Sequence, residues 1–101
     1  MKIGVNMAIT SDSLDVAVIA QKLEELGFES MWLPEHPVMP VRTASRYAGS
    51  PDGRIPESMA YISDPFMGLA RASAVTRTLK LGTGVCPVSY THLTLPTILR
   101  V

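Results

Sequence analysis

A chain of 101 residues, 47% of them hydrophobic, has the length of one ordinary domain and enough apolar material for a packed core, which excludes wholesale disorder. Nine Lys and Arg residues balance nine Asp and Glu, so no basic excess exists to hold a phosphate backbone, and nucleic acid is set aside as a partner. The lone cysteine, Cys86, excludes an internal disulfide framework and any CxxC zinc or redox pair.

In chain order, Lys2 to Met7 alternates Ile3, Val5 and Met7 with other residues and reads as a buried first strand. Met1–Asn6 lacks the long apolar segment of a signal peptide, and no later run is long enough to span a bilayer. The expectation is a cytoplasmic protein without membrane contact. Ser11-Asp12-Ser13 offers an N-cap cluster, with Asp15 suited to the positive end of a helix over roughly residues 13–26. Val16, Ile19, Ala20, Leu23 and Leu26 form its apolar stripe; Gln21, Lys22, Glu24 and Glu25 take the other side. Gly27, able to adopt positive φ, closes it.

Phe28 to Pro34, with Met31, Trp32 and Leu33 at its centre, reads as a second strand and completes a βαβ unit. From Glu35 to Ser63 no periodicity survives, and Ser50-Pro51-Asp52-Gly53 is a strong turn signal. So long an irregular connection is more often functional than not. Ser63-Asp64-Pro65 then supplies an N-cap and a proline at the first helical position. The helix runs to about Thr78, with Phe66, Leu69, Ala70 and Ala74 on its buried face. Leu79, Leu81 and Val85 mark a third strand, whose Gly82 and Gly84 signal a bulge or a close approach. The order β-α-β-(long loop)-α-β points to an α/β fold with a parallel sheet.

Three segments carry a resemblance. Met1-Lys2-Ile3-Gly4-Val5-Asn6, then Leu26-Gly27-Phe28-Glu29-Ser30-Met31-Trp32-Leu33-Pro34-Glu35-His36, then Leu79-Lys80-Leu81-Gly82-Thr83-Gly84-Val85 resemble the opening of the bacterial luciferase-like superfamily. The loop with Ser50-Pro51-Asp52-Gly53-Arg54, followed by Asp64-Pro65, is similar to its branch dependent on coenzyme F(420). The resemblance implies a (β/α)8 TIM barrel, of which this chain holds the N-terminal β-α-β-α-β portion, truncated and inactive alone. It covers residues 1–86, expected to be the N-terminal part of the barrel domain. Val88 to Thr97 departs from the family and resembles a translated sequencing adapter. Residues 87–101 are accordingly expected to be a non-native tail, with no role for His92.

The resemblance also implies chemistry. The activity expected of the whole protein is hydride transfer between coenzyme F(420) and a small organic substrate, in a homo-oligomer. A close alternative is an FMN-dependent monooxygenase, toward which Glu35 leans because the deazaflavin enzymes often carry Asp there. His36 is the candidate proton donor or acceptor, a role that suits imidazole in general because its unperturbed pKa lies near neutrality; the plainer reading is a loop histidine with a local hydrogen bond. Glu35, His36, Thr83, Gly84 and Val85 are the candidate cofactor contacts, with a non-proline cis peptide implied at Gly84–Val85. The plainer reading of these glycines is that they admit a neighbouring side chain. Trp32 is expected in the core rather than a cavity, Cys86 as a small buried hydrophobe, and Arg42, Arg46 and Arg54 on a solvated loop face or against an anion. A metal-dependent sugar isomerase or epimerase barrel has a similar opening but needs several carboxylates and histidines, whereas only Glu35-His36 is available; no metal is expected. Loss of His36 would have favoured a non-catalytic flavin-binding relative.

Overall fold

The computed structural model describes residues 1–36 and 38–86. The elements are β1 (Gly4–Asn6), α1 (Val16–Glu25), β2 (Ser30–Leu33), a 3-10 turn (Glu57–Tyr61), α2 (Pro65–Ser73) and β3 (Lys80–Thr83). The strands lie in the order β1-β2-β3 and both pairings are parallel. The expected α/β order, with its parallel sheet, is the order observed. The 3-10 turn inside the long loop has no counterpart in the sequence pattern.

α1 starts later than the Ser11–Ser13 cluster suggests. Thr10 and Ser13 close a turn on each other instead (Thr10 N to Ser13 Oγ 3.0 Å, Ser13 N to Thr10 O 3.1 Å). Asp15 is the N-cap and accepts the Ala17 amide at 2.9 Å. At the other end Gly27, at φ +85°, allows Gly27 N to reach Glu24 O and Phe28 N to reach Leu23 O, the paired bonds of a Schellman motif. α2 begins as expected, with Asp64 accepting the Met67 amide and Pro65 at the first turn. It stops at Ser73 rather than Thr78. β-branched Val75 and Thr76 are weak helix formers, and the amides beyond them find a better acceptor than an i−4 carbonyl, described below.

The core lies between the helices and one face of the sheet, joining Ile9, Val16, Ala20, Leu23, Met31, Leu33, Ala72 and Leu79. Strand alternation sends Met31 and Leu33 into it and Ser30 and Trp32 to the opposite face. Trp32, expected in the core, is therefore 43% exposed. Its ring lies over Gly82, where a Cβ would stand 2.6 Å from Cζ3, and its Nε1–H donates to Ser30 Oγ at 2.9 Å. The buried face of α2 is also rotated from the expected stripe. Pro65, Gly68 and Ala72 are buried, while Phe66, Ala70 and Ala74 are exposed. Small residues win that face because they bring the helix close: a Cβ on Gly68 would stand 2.8 Å from Leu33 Cδ1. Leu26, placed last in the α1 stripe, is 62% exposed because the chain has already turned out of the helix there.

Candidate active site

The register decides which residues share an edge. Asn6 pairs with Trp32 and Leu33 with Thr83, so the three strands finish almost level. Met7 N continues to Trp32 O at 3.1 Å and Gly84 N to Leu33 O at 2.9 Å. Glu35-His36 and Gly84-Val85 consequently leave neighbouring strands at one carboxyl edge, where parallel α/β folds collect their reactive groups.

Glu35 is buried, at 8% exposure, and its Oε1 accepts the backbone N–H of His36 at 3.2 Å. Every buried side-chain nitrogen or oxygen among the described residues has a partner, as burial demands. His36 is half-buried, and its Nε2 lies 2.6 Å from the carbonyl of Met59 in the 3-10 turn. Both residues line a cleft of about 350 Å³ with Val38, Met39, Ala60, Ile62 and Asp64. The loop that closes it is tied back to the segment that follows β1. Thr10 and Ile62 form an antiparallel bridge, and Ser63 N donates to Ile9 O at 2.8 Å.

Thr83, Gly84 and Val85 stand at the adjacent strand end and do not line this cleft. Among the described residues no peptide bond is cis, so the bond expected to be cis at Gly84–Val85 is trans. A cis bond there would cost about 3–4 kcal/mol and persists only where surrounding structure enforces it; β3 is the outer strand of the described sheet. The glycines do what the plainer reading allows. Gly82 admits the Trp32 ring, and Gly84 admits the Asn6 amide, whose Oδ1 would lie 2.6 Å from an added Cβ. Cys86, expected to be buried, is exposed beside this open end. Arg42, Arg46 and Arg54 are exposed, and Arg46 lies over Gly53 (φ +75°) of the expected turn. The readings made for residues 87–101 lie outside the described residues.

Sequence reasoning missed three residues whose contacts stand out in the structure, of which the Met59 carbonyl meets His36. Asn6 had a signal, being a polar residue at the end of the first strand. The Met59 carbonyl had none, because any residue type supplies a carbonyl. Glu24 was assigned to the solvent side of α1, yet its carboxylate accepts the amides of Arg77, Thr78 and Leu79 at 2.9, 2.7 and 2.8 Å, and the Thr78 hydroxyl at 3.2 Å. Those backbone bonds, Leu79 first, hold its carboxyl down at about 2. The Arg71 guanidinium, followed by the Ala17 amide, likewise lowers Asp15 to about 2, and Lys80 foremost, with Lys2, lowers Glu29. Glu24 and Glu29 act near the amino edge of the sheet, away from the cleft.

Among the described residues no group of three or more His, Cys, Asp and Glu is gathered as a metal shell, and no helix is long and apolar enough to cross a membrane. The sequence profile described as luciferase-like monooxygenase matches residues 5–95. Uncharacterized proteins of Mycobacterium bovis and of two strains of Mycobacterium tuberculosis are 30% identical over 97 residues, covering 94% of this chain. The chain spans about a third (34%) of the length of each. No solved structure gives a significant match.

Proposed function

The chain belongs to the luciferase-like monooxygenase family, and on that premise we propose that the whole protein is an oxidoreductase that moves hydride between coenzyme F(420) and a small organic substrate. The observation that carries the reading is the placement of His36. It leaves β2 directly, lines a cleft, and stands at the same carboxyl edge as Gly84-Val85. The Ser50–Arg54 turn and Asp64-Pro65 support the deazaflavin branch.

Toward a ring at this edge the chain offers the His36 imidazole on one strand end and the strand-end backbone of Gly84 on the next, where the missing Cβ makes room for the Asn6 amide. When bound, the deazaflavin supplies the hydride chemistry. The chain's own residues do the rest. Thr83, Gly84 and Val85 offer backbone at the strand end. Glu35 fixes the peptide that carries His36 into the cleft, and His36 holds or delivers the proton that balances hydride transfer.

A second reading, reduced FMN with molecular oxygen as co-substrate, is favoured by Glu rather than Asp at position 35. Fluorescence titration of the whole protein with each cofactor separates the two. With the preferred cofactor, His36→Ala is expected to retain binding and lose turnover by about 10²–10⁴-fold, together with one limb of the pH profile. Turnover within a factor of about two of wild type, with an unchanged profile, would remove His36 from the chemistry.

A further inference from the structure

We infer that the 3-10 turn Glu57–Tyr61 sets the tautomer of His36, making Nδ1 the ring nitrogen that exchanges the proton. The tautomer follows from the geometry, and proton exchange at Nδ1 rests on the acid–base reading of His36 proposed above.

A carbonyl oxygen only accepts. At 2.6 Å from the Met59 carbonyl, Nε2 must therefore carry hydrogen. In a neutral imidazole that places the lone pair on Nδ1. The ring makes no other hydrogen bond among the described residues, so Nδ1 is left to a ligand.

The acceptor is held as firmly as the loop permits. Met59 N donates to Pro56 O at 3.0 Å within the turn, and the residues that follow are pinned by the Thr10–Ile62 bridge and the Ser63–Ile9 bond. A carbonyl located 23 residues along the chain thus orients the imidazole from outside its own strand end. Two carboxylates face the same cleft. Glu35 is engaged with the His36 backbone, and Asp64 caps α2 through the Met67 amide. When Nδ1 takes up a proton, the Met59 carbonyl keeps its hydrogen bond to Nε2–H. The ring can then charge and discharge without turning. Met59 is in this sense a positioning residue, acting through its main chain.

The test uses the whole protein with ¹⁵N-labelled histidine, the His36 resonances being identified by their loss in His36→Gln. Two-bond ¹⁵N–¹H correlation at alkaline pH, with the ring neutral, is expected to show a single form with Nε2 protonated and Nδ1 bare. An Nδ1–H form, or an average of both, would overturn the inference whether or not His36→Ala loses turnover.

Two substitutions then separate orientation from chemistry. In His36→Gln the amide nitrogen can still donate to the Met59 carbonyl, and in His36→Asn it cannot reach. The Gln variant is expected to keep wild-type hydrogen-exchange protection at the Met59 amide and to keep cofactor affinity, with turnover down about 10²–10⁴-fold. The Asn variant is expected to lose the protection as well. Near-wild-type turnover in the Gln variant would sink the acid–base reading and the proton-exchange claim while leaving the tautomer result standing.

Discussion

At the amino edge of the sheet, polar groups are consumed by the fold itself. Glu24 collects three successive amides of the α2–β3 connection, and Glu29 pairs with Lys80 at 2.9 Å and Lys2 at 3.5 Å. At the carboxyl edge the opposite holds. Among the described residues, the Met59 carbonyl accepts one bond from His36, one bridge and one amide tie the loop to Ile9 and Thr10, and the Trp32 face of the sheet is exposed. The difference has a physical reason under the function proposed for the carboxyl edge. A group saturated by its own chain stabilises, whereas a group that is to meet a ligand has to keep some of its bonding capacity.

The largest contrast should appear in proteolysis. Trypsin is expected to cleave after Arg42, Arg46 or Arg54, all exposed in the loop, before any bond within α1 or α2 is lost. Mass spectrometry of early digests checks this, and first cuts at Lys22 or Arg71 would dissolve the distinction between the edges. Next is the packing beneath the scaffold. Gly68→Leu places a side chain where a Cβ alone would meet Leu33 Cδ1 at 2.8 Å. It should destabilise the whole protein by about 1–3 kcal/mol or more in denaturant unfolding.

The amino-edge clamp predicts a pH signature. Glu24 ionises at about 2 in the fold against an ordinary 4.5. The stability it contributes is therefore complete above about pH 4.5 and lost as the pH falls toward 2. Glu24→Ala should lower the melting temperature at pH 7 more than Glu25→Ala, and that gap should close on acidification through this window. A pH-independent gap would mean that the carboxylate charge is not what holds the turn. The smallest effect is local. Gly27→Ala meets no atom within 4 Å, so only the positive φ opposes it. A loss of about 1 kcal/mol is expected, read from chemical denaturation.

Much of the scaffold was legible because its signals are local. The Gly27 closure, the Asp64-Pro65 start, the strand runs and the Ser50–Gly53 turn are each written in a few adjacent residues, and each occurs where expected. Of the candidate site, Glu35 and His36 were named through resemblance and through their place after a strand, and the structure places both in one cleft. Trp32 shows the limit. Three apolar residues in a row do not say which of them faces the helices, and the middle one went to the other side.

The sequence by itself determined the order of the elements, the parallel α/β class and the family, since these depend on propensities, caps and spacing along the chain. Only the tertiary structure decided which face of α2 is buried, that Glu24 clamps a segment more than fifty residues away, and that the Met59 carbonyl meets His36. The physical reason is common to all three. Gly68 is chosen by how closely α2 can approach Leu33, and a main-chain amide or carbonyl bonds alike whatever side chain it carries. No pattern of residue types can announce such a partner before the chain has folded back on itself.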